Sequence, residues 1–131
     1  MSSLSAILLD EDYYAFIQAG KGVVDGLAVA SPERLIPLKA LAWMNLSARK
    51  ADGEKVDGRH IRKHRNDVFR LYRVIDPDTE VAMPEVVRAD MTRFVSMIEE
   101  QQSVDLKQLG LKGTTHPDVL ADLKRIYGLD S

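Results

Sequence analysis

The chain has 131 residues, 18 Lys and Arg against 20 Asp and Glu, and a net charge of −2. That length makes one domain with a core of its own, and the slightly acidic balance argues against wholesale coating of nucleic acid while allowing a local basic patch. The absence of cysteine excludes disulfides, thiolate metal sites and a cysteine nucleophile, and fits a reducing, cytoplasmic setting. Met1-Ser2-Ser3-Leu4 carries no basic stretch ahead of an apolar run, so nothing reads as a signal peptide. No apolar segment approaches the ~18 residues that a membrane span needs, which predicts no membrane partner.

Leu4 to Leu9 is a short apolar run of the kind a buried strand presents. Asp10 then offers a helix N-cap, with Glu11 and Asp12 in the first turn, where the helix dipole favours acids. Tyr13, Phe16 and Ile17 share one face of that helix, and Gly20 or Gly22 ends it. An Asp25-Gly26 pair between Val23-Val24 and Leu27-Ala28-Val29 predicts a hairpin. Ser31-Pro32 is a good helix start, but Pro37 would clash with the carbonyl four residues back. The expectation is therefore a short turn at 32–36 and a main helix from Pro37 to about Ala51.

After the polar loop 52–56, Asp57 caps a second long helix that runs to Ile75 and stops at Asp76-Pro77-Asp78. A third helix spans Pro84 to about Gln102, with Val87, Met91, Phe94, Val95 and Ile98 as its buried stripe. Ser103 to Leu109 forms a turn or two before Gly110. Thr115-His116-Pro117-Asp118 has the spacing of a capping box for a last helix closed by Gly128. The predicted fold is α+β, mainly α: a single domain over 1–131, with a small N-terminal antiparallel sheet and short helix in 1–30 and a helical bundle in 31–131. So small a sheet leaves unpaired edges, which its own helices or a companion chain must cover.

The most informative segment is the second long helix. Between Arg59 and Arg73 it carries six Lys and Arg and one carboxylate, Asp67, in a chain that is acidic in total. A helix so charged attracts anions, phosphate foremost. Asp67 is within helical reach of Lys63 four residues before it and Arg70 three after it, pairs worth only ~0.2–0.5 kcal/mol each when exposed. Lys39, on the apolar segment of Leu38, Leu41, Ala42 and Leu46, has the pattern of a lysine that snorkels to solvent. Other chemistry is thinly supported. Asp10 and Asp12 have the Asp-x-Asp spacing of a two-metal site but read as a cap and first-turn acids. His60 and His64 lie four apart with no third ligand and no His-Glu-x-x-His pattern, and His116 sits in a capping region. No nucleophile elbow, Walker loop or dinucleotide glycine fingerprint is present, so no residue is assigned a catalytic role and none a metal.

The order Ser31-Pro32-Glu33-Arg34-Leu35-Ile36-Pro37-Leu38-Lys39-Ala40, then Arg49-Lys50, then Lys63-His64-Arg65-Asn66-Asp67-Val68-Phe69-Arg70-Leu71, resembles the C-terminal half of the AbiEii-type nucleotidyltransferases. These are bacterial proteins that include the toxins of abortive-infection and toxin–antitoxin pairs. The resemblance covers residues 4 to 127. It implies a nucleotide and phosphate site in which Lys39 approaches a phosphate and Asp67 orients Lys63 or Arg65 beside a cleft between two halves. The family's other half carries a glycine turn and an Asp-x-Asp pair that hold Mg²⁺ and a nucleoside triphosphate. That half is missing here, and Arg70 stands where family members often have a second Asp.

The resemblance therefore implies a helical portion that is inactive alone and holds no cofactor itself. The partners it implies are a separate nucleotidyltransferase half, a second copy of the chain, or an antitoxin protein. The alternative is a stand-alone interaction or oligomerisation module whose basic helix at 58–75 docks on RNA or an acidic protein. With 6% aromatic residues, mostly facing inward, RNA contact would be weak, carried by phosphates and strongly salt-dependent.

Overall fold

The computed structural model describes residues 6–7, 9–19, 21–24, 27–101 and 104–129. Among these the chain forms five helices: α1 (Glu11–Ala19), α2 (Pro32–Ala51), α3 (Gly58–Tyr72), α4 (Glu85–Gln101) and α5 (His116–Ile126). The architecture is helical, which corrects the expected α+β class with its small N-terminal antiparallel sheet. Leu4 and Leu8 of the expected first strand lie outside the described residues. Ala6 and Ile7 are helical, and Ile7 is buried in the helical core. A short apolar run cannot be told from a buried helical turn by its pattern, and here packing against helices decided it.

Between α1 and α2, Lys21–Val24 and Leu27–Ala30 pair as a two-stranded antiparallel ribbon, with Lys21 opposite Ala30 and Val24 opposite Leu27. Asp25 and Gly26 lie outside the described residues. Two four-residue strands make no sheet layer.

Three of the helices, α1, α3 and α5, start where a side chain satisfies free N–H groups. Asp10 Oδ1 accepts from the amides of Asp12 (2.9 Å) and Tyr13 (3.2 Å), so the Asp-x-Asp spacing serves a cap. Asp57 Oδ1 accepts from Arg59 N at 2.8 Å at the start of α3. Thr115 and Asp118 form a reciprocal capping box on α5.

The second correction concerns Pro37, which lies inside α2 rather than at its start. A proline at that position leaves the carbonyl of Glu33 without its helical donor. The hydroxyl of Tyr127, at the far end of the chain, fills the gap by donating to Glu33 O at 2.6 Å. The helix continues because a tertiary contact replaces the bond that the sequence removes.

The core lies where α2, α4 and α5 bury their apolar stripes together with Val68 and Phe69 of α3. Ile36, Ala42, Val87, Met91, Phe94 and Leu123 are fully enclosed. Each large side chain so buried contributes roughly 1.5–3 kcal/mol from area removed from water. Trp43 of α2 meets Phe94 of α4 edge to face, with centroids 5.5 Å apart and planes at 89°. α1 is anchored at both ends of this layer: Tyr13 donates to Asp90 Oδ2 at 2.8 Å, and the Arg34 guanidinium lies 4.5 Å from the Phe16 ring centroid. The segment 104–111 adds Val104, Leu106, Leu109 and Leu111 beneath a turn closed by Gly110.

Candidate functional site

The helices α2 and α3 run antiparallel and pack along their length, so residues far apart in sequence meet in two places. Near the middle of α2, Lys39 Nζ reaches Asp67 Oδ2 at 3.0 Å, and each side chain retains 18% of its exposure. Asp67 Oδ1 accepts from Arg70 Nη1 at 3.1 Å, so one carboxylate serves two cations. His64, one turn before Asp67, is half-buried, and its Nδ1 is enclosed without a hydrogen-bond partner. Burial and the Lys39 charge push the His64 pKa below its ordinary value, against a smaller opposite pull from Asp67.

Lys39 and Asp67 are thus brought together, although the resemblance gave Asp67 the task of orienting Lys63 or Arg65. The other two sequence candidates are not part of that cluster. Lys63 is exposed on α3, and Asp67 turns to Lys39 and Arg70 instead. Arg65 is two residues from Asp67, roughly 200° around the helix axis, and faces a different feature.

That feature is a cleft of about 400 Å³ between the C-terminal end of α2 and the first half of α3. Trp43, Ser47 and Lys50 line it from α2, and Gly58, Arg62 and Arg65 from α3, with Gln101 at its rim. Three of these side chains are cationic and none is a carboxylate. A Cβ placed on Gly58 would sit 3.2 Å from both Lys50 Nζ and Arg62 Nη1, so the two charged ends converge on the space the glycine leaves. Of the acids in the connecting loop, Glu54 pairs with Arg49 at 3.4 Å and Asp57 with Arg59 at 3.0 Å. Burial and the Arg62 charge both lower the Arg65 pKa. A fold that holds like charges this close favours an anion between them.

Lys50 and Arg62 were not singled out from the sequence, although a signal for them exists. Gly58, Arg62 and Arg65 recur at the i, i+4, i+7 spacing of one helix face. What the spacing could not reveal is that Lys50, the penultimate residue of α2, closes over that face.

The residues do not fit a magnesium site. Asp67 is shared by two cations, Asp10 caps its own helix, and among the described residues no group of three or more His, Asp or Glu gathers to hold a metal. Among them, too, no helix is long and apolar enough to cross a membrane. Comparison with protein-family models, with curated proteins and with solved structures finds no match to this chain.

Proposed function

We propose that the chain is the C-terminal helical portion of an AbiEii-like nucleotidyltransferase, and that it supplies one wall of a nucleotide cleft rather than the chemistry. The observation that supports this reading is the 3.0 Å contact of Lys39 with Asp67. The resemblance gives these two residues a shared site, and they come from different helices that could have turned them apart. In such a wall the Lys39 ammonium neutralises phosphate charge, Asp67 fixes its position, and Arg70 holds the carboxylate from the other side. Magnesium would supply charge neutralisation at the transferring phosphate, and its ligands would have to come from the companion half, since none gather in this chain's described residues.

The test is nucleotide transfer. The chain is incubated with Mg²⁺, labelled nucleoside triphosphates and RNA, alone and with a separately expressed half that bears the glycine turn and the Asp-x-Asp pair. The chain alone is expected to be inactive. The mixture is expected to transfer nucleotide and to lose that activity on Lys39→Met in the helical portion. Transfer by the chain alone, or an active mixture indifferent to Lys39, overturns the reading.

A second reading has its own supporting observation. From Arg49 to Arg65 there are seven Lys and Arg against three acids, in a chain whose net charge is −2. Exposed Arg59, His60, Arg62 and Lys63 lie on that stretch. This is the charge distribution of a stand-alone module whose basic helix docks on RNA. Such binding falls steeply with salt, and no detectable RNA affinity at about 50 mM salt would remove its basis.

A further inference from the structure

We propose that the cleft between the end of α2 and the start of α3 is a phosphate-binding site, in which Lys50, Arg62 and Arg65 hold the phosphate of a nucleotide or of an RNA backbone. The site is separate from the Lys39–Asp67 contact and belongs to the folded chain alone, so it does not rest on the nucleotidyltransferase reading.

Three observations carry it. The first is convergence. Lys50 Nζ and Arg62 Nη1 approach the same point beside Gly58, within twice 3.2 Å of each other. Like charges placed that close repel, and a phosphate between them turns the repulsion into two charge-assisted hydrogen bonds. The second is the want of acids. An ordinary solvated charged face mixes both signs, whereas none of the described residues lining this cleft is acidic, and the loop acids Glu54 and Asp57 pair with Arg49 and Arg59. The third is shape. At about 400 Å³ the cleft exceeds what a lone ion fills, and it has the size class of small-molecule sites. Its half-buried Ser47 hydroxyl is a further donor, and Trp43 forms part of its apolar lining.

Gly58 gives the arrangement its opening. A side chain there would meet the two cationic ends and push them from the position where they converge. Arg65 is half-buried in the cleft wall and its Nε donates to Asn66 Oδ1 at 3.3 Å, which helps fix the guanidinium. Lys50 and Arg62 are exposed. The site thus pairs one anchored guanidinium with two exposed cations that an incoming phosphate can reach.

The experiment uses the full chain and amide NMR, with Trp43, the one tryptophan in the sequence, as a fluorescence reporter in the cleft. The probes are inorganic pyrophosphate, ATP and a short single-stranded RNA at about 50 mM salt. Pyrophosphate is expected to shift the Gly58, Ile61 and Arg62 amides saturably. Lys50→Gln and Arg62→Gln are each expected to weaken it about tenfold, a charge-assisted hydrogen bond's worth. Lys112→Gln, on an exposed turn away from the cleft, is expected to leave it unchanged. Both cleft residues are exposed, so their variants keep the core, and their dispersed spectra verify the fold.

If RNA binds more tightly than ATP and with a steeper salt dependence, the phosphate is that of a backbone. If ATP binds as well or better, it is that of a nucleotide. Absence of a saturable shift with all three probes overturns the proposal. So does a shift that neither cleft variant weakens, or one that Lys112→Gln weakens equally.

Discussion

Replacing Tyr127 with phenylalanine removes one oxygen and tests how α2 tolerates its internal proline. In the native fold the Tyr127 hydroxyl donates to Glu33 O at 2.6 Å, and the ring is 1% exposed. Pro37 has no N–H for that carbonyl, so the variant leaves it without a partner beside the core. An orphaned acceptor in this part-buried setting costs about 1–3 kcal/mol, and the phenyl ring keeps the apolar contacts, so little else changes. For a chain of this length the expected loss in Tm is roughly 4–11 °C. The decisive measurement is a double-mutant cycle by urea denaturation with Pro37→Ala, which restores an N–H four residues after Glu33. In the Tyr127→Phe background that alanine should recover about 1 kcal/mol or more relative to its effect in the native protein. A loss below about 0.5 kcal/mol in Tyr127→Phe, or the same effect of Pro37→Ala in both backgrounds, would refute the reasoning.

Three further outcomes are expected. Asp67→Asn should destabilise by about 1–3 kcal/mol, because Lys39 loses a partner in a half-buried setting. A cycle with Lys39→Met should show coupling well above the ~0.2–0.5 kcal/mol of the exposed Arg70 pair, and equal coupling to both cations would contradict the geometry. Gly110→Ala should cost at least about 1 kcal/mol. Gly110 has φ +84°, and an added Cβ would come 2.0 Å from Arg73 Nη1, which donates to Leu109 O; chemical denaturation together with Arg73→Ala separates the two causes. Stability should also fall on acidification through His64. Its folded pKa lies below the ordinary 6.5, so the unfolded chain takes up the proton first as the pH drops below that value. Melts between about pH 7.5 and 5.5 should show that slope, and His64→Gln should flatten it; an unchanged slope would refute the assignment to His64.

The parts of the fold legible in the sequence are those governed by neighbours a few residues apart. Asp10, Asp57 and Thr115 cap the helices that follow them because a capping side chain needs only the next turn. The stripe of Val87, Met91, Phe94, Val95 and Ile98 is buried as its spacing predicts. Two expectations failed where distant residues decide. The run around Ile7 is equally apolar as strand or helical turn, and its environment settles it. Pro37 was expected to begin a helix, and Tyr127, ninety residues on, lets it sit inside one. The site divides in the same way. Helical spacing places Arg70 on Asp67, but the choice of Lys39 over Lys63 as its other partner depends on how two helices cross.

That crossing gives the α2–α3 pair two unlike electrostatic regions, and the difference bears on what each can do. At Lys39 the charge is already answered: the Asp67 carboxylate lies between two cations, one at each oxygen, which disfavours a further cation there. Whatever Asp67 does, it does by holding Lys39 in place. A phosphate arriving there must share the ammonium with Asp67, which weakens its hold. Among the described residues no carboxylate lines the cleft at Lys50 and Arg62, so an anion there meets both cations with no carboxylate between them. Binding by the isolated chain should therefore occur at the α2 C-terminal cleft first. Lys39→Met should leave pyrophosphate affinity within about twofold of the native value, while Arg62→Gln lowers it roughly tenfold, and the reverse order would place the anion at the wrong end of the helix pair.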